Sequence, residues 1–315
     1  MAKDTLFICG NGLDLGHGLK TSYFDLEMYC KARQIRFYKD LTSTLRLGNS
    51  ENITWSDLEY KIGMIPLEPL INVSTEHFQF ASWMERKLVG NETITVPHNE
   101  SSLPQIIASG YMRIILELPS QLKKYLQKNI VFDNIRKRKE ISEILQSTSK
   151  TISFNYTTTF ERVYNVQSKD ILHIHGDIKS NTEIIIGHGN KQVYSPTTEV
   201  IEADPYLESI KKLHLLYLTK MYKKTDEIYS RHIEFFEGLS GINRIIVFGH
   251  SLSEVDDYYF KKVSKKFPDA IWKIFLYSSN KDYNNNNLLI IKKFKDRIGL
   301  VKDPELVNYA DLDFE

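Results

Sequence analysis

The sequence predicts an α/β protein built on a mostly parallel sheet, and three observations carry that expectation. Short apolar runs, such as Leu6 to Cys9 and Ile245 to Phe248, lack polar alternation and stop at a glycine or a polar turn. Such runs read as strands buried on both faces, the habit of parallel sheets. Helix-like text follows several of these runs, and the stretch from 31 to 149 is helical in pattern with no persistent alternation. The chain therefore divides into a Rossmann-like nucleotide-binding core (1–30 plus 150–300), a helical insertion (31–149) and an acidic C-terminal tail (301–315).

The first element is the strand TLFIC, followed at once by Gly10-Asn11-Gly12 and a helix opening at Leu13 to Leu15. The glycines and Asn11 supply positions tolerant of positive φ. Free backbone N–H groups at a helix start attract phosphate, so this corner is a candidate anion cradle, against which stands the Asp14 carboxylate that would face the anion. A third glycine of the dinucleotide fingerprint is missing where Leu15 stands, and a tight turn without a ligand is the plainer alternative.

From Tyr23 to Leu47 the pattern is helical, with Phe24, Met28, Ala32, Ile35 and Tyr38 as an apolar stripe. Asn49 to Thr54 breaks it, and WSDLEYKIG then opens with Ser56 and Glu59 in capping-box spacing. Pro66, Pro69, Pro97 and Pro104 punctuate the next stretch. Leu103 to Lys128 reads as a helix that Pro119 should kink or divide. The basic run Arg136 to Glu140 has no aromatic interleaving and reads as a solvated helix face.

The α/β grammar then returns. TISFNY is followed by the helix-like TTTFERVY. DILHIHGD and EIIIGHG read as further strands, and Tyr206 to Leu239 as one long helix or two. RIIVFGHSLSEVDDYYF repeats the opening pattern of strand, glycine, polar turn and helix, with Ser253 as N-cap and Asp256 at N3. IWKIFLY is another strand.

Composition bounds the function. The chain has 315 residues, 41 basic against 40 acidic, and a net charge of +1. That balance gives no field for nucleic acid or an acidic membrane. Two cysteines, Cys9 and Cys30, make no disulfide framework and fit a reducing compartment. No apolar run reaches the roughly 18 residues of a membrane helix, and the start lacks a signal-peptide pattern. The expectation is a cytoplasmic protein.

Four strands switch to Gly, Asn, His, Ser or Asp at their carboxyl ends, and in an open parallel sheet those ends line the ligand crevice. Asn155 could orient a ribose hydroxyl or a water, or cap the next helix. His175 could take a proton near neutrality, or simply bond the backbone. His173 and His175 on one strand face, with Asp177, His188 and His250 near by in the pattern, permit a metal reading. No CxxC or HExxH is present, and Gly249-His250-Ser251-Leu252-Ser253 lacks the second glycine of a nucleophile elbow.

At these residues the chain resembles the bacteriophage abortive-infection AbiH family. The matching blocks are LFICGNGLDLGHGLKTSYFDL, WSDLE, SFNYTTTFERVY, HIHGD, IIGHG and VFGHSLSEVDDYYF, in order over most of the sequence. That family is similar in turn to sirtuin-like NAD-binding defence domains. This more distant resemblance implies NAD as substrate, Asn155 positioning ribose or water, and His175 as base. It assigns Gly10, Asn11, Gly12 and Asp14 to the diphosphate and nicotinamide loop, and Gly249, Ser251 and Asp256 to the adenosine side. The first loop is GNGLD instead of the sirtuin GAG-type turn, and the absence of a zinc-binding cysteine set disfavours deacetylation. The implied activity is cleavage of the nicotinamide–ribose bond, with no metal expected, a phage-derived trigger, and scope for a homo-oligomer. Two other readings stay open: a metal-dependent nuclease or phosphohydrolase using His173, His175, Asp177 and His188, and a non-catalytic nucleotide-binding sensor.

Overall fold

A computed structural model describes residues 3–46, 55–65, 103–190, 205–277, 283–309 and 312–314. Six strands, β1 (Thr5–Cys9), β2 (Thr148–Ser153), β3 (Ile171–His173), β4 (Arg244–Phe248), β5 (Ile271–Leu276) and β6 (Glu305–Asn308), form one sheet in the order 3-2-1-4-5-6. Every pairing is parallel. This is the doubly wound, Rossmann-like order, and it reverses direction between β1 and β4, where such sheets open a crevice. No described helix is long and apolar enough to cross a membrane.

The expected absence of alternation in β1 follows from burial on both faces. Leu6 and Ile8 join one apolar cluster with Ile152, Ile245, Val247, Ile274 and Phe294. Phe7 and Cys9 join the opposite one with Phe160, Ile246, Phe248, Phe275 and Tyr309. Removing that much apolar surface from water, at about 25 cal/mol per Å², is what holds the sheet together.

The chain folds as two compact units. The first holds residues 1–22, 126–185 and 224–315, and contains the whole sheet. The second, Tyr23–Tyr125 with Ile186–Lys223, has helices as its named elements among the described residues. Inside it, Trp55 is fully buried against Phe37 and Tyr38, and its backbone N–H donates to Glu27. Lys223 donates to both Glu59 oxygens (3.1 and 3.2 Å). Tyr111 stacks on Tyr217 at 4.2 Å.

Several local expectations change. Residues 23–46 form two helices, Tyr23–Ala32 and Arg36–Arg46, with Gln34 at positive φ between them. The apolar stripe shifts accordingly: Phe24 and Met28 are exposed, while Leu26, Cys30, Phe37, Leu41 and Leu45 are buried. The second helix restarts in a new phase, so one period cannot be carried across the break. Ser56 lies in a short 3-10 turn (Trp55–Asp57), and the helix proper starts at Leu58 without a side-chain cap. Pro119 sits within one continuous helix, Leu103–Asn129. Asn49–Thr54, Pro66, Pro69 and Pro97, expected to break the helical pattern, lie outside the described residues. The stretch 206–239 contains three helices, Pro205–Met221, Thr225–Arg231 and Ile233–Gly238.

EIIIGHG is not a strand. Within the sheet unit the Ile185 N–H goes to the His175 carbonyl; within the helical unit His188 bridges to Tyr222. Within the basic run Arg136 and Lys139 are exposed, but Arg138 is not part of a solvated face. Arg138 is 7 % exposed and forks onto the Gly16 carbonyl (3.2 and 2.6 Å) and the Leu312 carbonyl (2.7 Å), beneath the Phe314 ring. The stretch read as a tail supplies β6, and Tyr309 packs its ring 4.7 Å from Phe248 while donating to the Gly12 carbonyl.

Candidate functional site

The turns after β1 and β4 meet backbone to backbone. The Gly10 N–H donates to the Phe248 carbonyl at 3.0 Å, and the Gly12 N–H to the Gly249 carbonyl at 2.8 Å. A Cβ on Gly12 would lie 2.6 Å from the Gly249 Cα, and one on Gly10 2.6 Å from the His250 Cα. Close approach explains both glycines. Positive φ does not: neither Gly10 nor Gly12 has it, in contrast to Gly249 (φ +61°), and Asn11 is right-handed helical at −58°. The same contacts use the Gly10 and Gly12 N–H groups, and Leu13 donates to the Gly10 carbonyl. The Asn11 carboxamide is exposed and bonded to Thr21, accepting its hydroxyl at 2.6 Å.

On the Phe7 face of the sheet lies a first polar cluster. Asp14, 1 % exposed, accepts the Thr157 and Thr159 hydroxyls at 2.5 Å each. Burial pushes its carboxyl up to about 6, against the lowering effect of the hydroxyls and of Asn155 beside it. Asn155 is 4 % exposed, and neither end of its carboxamide has a hydrogen-bond partner of ordinary geometry among the described residues. Burying an amide without partners costs about 1–3 kcal/mol, which makes it a place for a polar ligand atom or water.

His173 belongs to this side. Its Nδ1 faces the Asn155 carbonyl (3.2 Å) and its Nε2 the Glu161 carboxylate (3.0 Å). Two acceptors require two ring protons. Burial disfavours the charge, but Glu161 outweighs it and the pKa rises above the ordinary imidazole value.

The second cluster lies on the Ile8 face. Its pivot is Phe154, one residue from Asn155 and so directed to the opposite side. The chain after His175 reverses at Gly176, whose φ is +81° and whose absent Cβ would meet the Glu183 carbonyl at 2.6 Å. His175 thereby parts from His173, contrary to the expectation of one shared strand face. The His175 Nε2 stands 3.7 Å from Asp256 Oδ1, and the His250 Nε2 stands 3.5 Å from Asp256 Oδ2. The three residues are 3, 6 and 4 % exposed. Phe154 presents its ring edge-on to both imidazoles, at 5.3 and 4.5 Å, and stacks on Phe260.

The β4 turn is held under strain. Leu252 is buried at φ +55°, unusual for a branched side chain, and such outliers concentrate at functional sites. Its carbonyl accepts from Arg297 (2.6 Å), which also donates to Asp257 (2.8 Å). Ser251 is exposed.

The residues weighed as metal donors are employed otherwise. Asp177 accepts the Lys179 and Ser180 N–H groups, which hold its pKa down against burial. His188, in the helical unit, faces the Leu218 carbonyl with Nε2 and accepts the Asn190 N–H at Nδ1, and burial lowers its pKa to about 4. Among the described residues no group of three or more His, Cys, Asp or Glu side chains is placed to hold an ion. Both cysteine thiols are buried, with raised pKa.

Sequence reasoning singled out Asn155, His175 and Asp256 but missed the pairing of His175 with Asp256 and the anchoring of Asp14 by Thr157 and Thr159. Only the alternation in Ser153-Phe154-Asn155 hinted that two faces were in play. No curated protein and no solved structure matches the chain. Residues 6–276 match the family described as bacteriophage abortive infection AbiH, a span holding β1 to β5 and both polar clusters, so the chain belongs to that family and has an abortive-infection role against phage.

Proposed function

We propose that the protein acts in that role by hydrolysing NAD at the nicotinamide–ribose bond. The observation that carries the reading is the Asn155 carboxamide, buried beside Asp14 with no hydrogen-bond partner of ordinary geometry among the described residues, at the carboxyl end of β2. The strand order and the likeness to sirtuin-like domains support it.

In this mechanism the bond from the ribose C1′ to the pyridinium nitrogen breaks, its electrons neutralise the ring, and nicotinamide leaves uncharged. The burden falls on the oxocarbenium-like sugar rather than on protonating the leaving group. Asn155, on the Phe7 side of the carboxyl edge, holds a ribose hydroxyl. His175, on the Ile8 side, takes the proton from the attacking water as its oxygen bonds to C1′, giving ADP-ribose and a proton. General-base assistance of this kind is worth about 10²–10⁴-fold. Gly249, Ser251 and Asp256 lie toward the adenosine side in the resemblance, and Gly10, Asn11, Gly12 and Asp14 toward the diphosphate.

The test is nicotinamide release from NAD by the full chain, with and without extract of phage-infected cells. Release that disappears in Asn155→Ala and His175→Ala is the expected result. No release under any condition, with both variants still protecting cells, sinks the proposal. A nucleotide-dependent rise in Tm without turnover would instead mark a sensor.

A further inference from the structure

Asp256 lies between two imidazoles, and the backbone decides what one of them can do. The Leu252 N–H donates to the His250 Nδ1 at 2.9 Å. That nitrogen must carry a lone pair, so the neutral ring of His250 has its proton on Nε2. Nε2 is the atom 3.5 Å from Asp256 Oδ2. Protonating Nδ1 would turn it against the Leu252 N–H, so His250 is fixed as a neutral donor aimed at the carboxylate. Phe154 and Phe260, edge-on at 4.5 and 5.1 Å, hold its ring plane.

We propose that Asp256 is a positioning residue for His175 and that His250, locked in the Nε2–H form by the Leu252 backbone, holds Asp256 in place. The proposal rests on the reading of His175 as base and deepens it, since the resemblance puts Asp256 on the adenosine side. One oxygen, Oδ2, is fixed by His250; the other, Oδ1, faces the His175 Nε2 at 3.7 Å. When His175 takes a proton from water, the imidazolium forms opposite a carboxylate already in place, and no further group has to move. Both separations exceed a hydrogen bond, which is common for catalytic pairs before substrate tightens them. A base oriented by a third group is the usual design of such sites.

The arrangement also gives the strained turn a use. Leu252 presents its N–H to His250 while its carbonyl is held by Arg297. Its left-handed backbone aims both groups, and the local strain of that conformer is the cost.

The experiment is a long-range proton–nitrogen NMR correlation on the full chain labelled with ¹⁵N-histidine, paired with NAD cleavage. At pH 7 His250 should be neutral with its proton on Nε2, and Asp256→Asn should shift the ring-nitrogen resonances of His175. His250→Gln keeps an N–H near the Nε2 position but loses the acceptor for the Leu252 N–H, so it should retain more of the native rate than a variant that loses the Nε2–H. His250→Asn keeps only the acceptor near Nδ1, and should lower kcat by about 10²-fold, the scale of a misplaced base. A proton on the His250 Nδ1, or His175 resonances unmoved in Asp256→Asn, overturns the proposal. Should Asp256→Asn not fold, the two His250 variants decide: His175 resonances displaced in His250→Asn alone support it, and equal displacement in both overturns it. If the resonances behave as expected while the native chain never cleaves NAD, the positioning arrangement stands and the substrate reading falls.

Discussion

The two faces of the sheet treat a buried carboxylate in opposite ways. On one, Asp14 is saturated by two threonine hydroxyls at 2.5 Å. On the other, Asp256 stands between imidazoles at 3.5 and 3.7 Å. Short bonds to neutral donors tie the β1 turn to the β2 turn and leave little for chemistry. Longer approaches between ionisable groups leave room for protons to be redistributed when a substrate arrives. Burial alone does not separate structure from function; the kind of partner does.

The strongest way to break this contrast is to part the two turns that both clusters hang from. Gly249→Ala puts a Cβ 2.5 Å from the Leu13 nitrogen and 2.6 Å from the Gly12 carbonyl carbon, on a backbone with φ of +61°. Left-handed strain and overpacking together should cost about 2–5 kcal/mol in a urea titration. A loss well under 1 kcal/mol would mean that the close approach is not needed.

Next comes the pH dependence set by Asp14. Its folded pKa of about 6 lies above the ordinary 3.8, so the folded state binds the proton more tightly than the unfolded one. Stability should therefore fall as pH rises from about 4 through about 6 and then level off, by about 3 kcal/mol in all at 1.36 kcal/mol per unit. Asp14→Asn should remove that slope; a variant with the native slope would show that the carboxyl is not the cause.

The smallest effect sharpens the comparison within one face. The His173 pKa is raised, so the Glu161 pair contributes fully below the unfolded imidazole value, and its contribution is lost as pH climbs through the folded one. Glu161→Gln should cost about 1 kcal/mol at pH 6 and almost nothing at pH 9. By NMR, the His173 titration should move down; an unchanged titration would place the stabilising charge elsewhere.

Much of the sheet was legible because its strands are apolar runs ended by glycine, and a strand buried on both faces has no use for polar residues. The same rule misled at EIIIGHG, where three isoleucines are buried or half-buried without joining a ladder. It passed over β6, a four-residue edge strand with little apolar content. The glycines at 10 and 12 were readable as a turn but not for the right reason, since close approach to a strand more than 200 residues away leaves no local trace. Asp256 was visible as a polar residue at a helix start. Its position between His175 and His250 depends on the reversal at Gly176 and the left-handed Leu252, neither of which periodicity reports.

The strand order has a consequence for synthesis. β1 is central and is made before both of its neighbours, since Thr5 pairs with Thr148 and with Arg244. At translation rates of about 5–20 residues per second, the earliest segment waits on the order of tens of seconds for its second neighbour. Until then TLFIC is an unpaired apolar strand in need of shelter. Any activity seated at the β1/β4 seam is absent from every nascent fragment that stops short of Asp256.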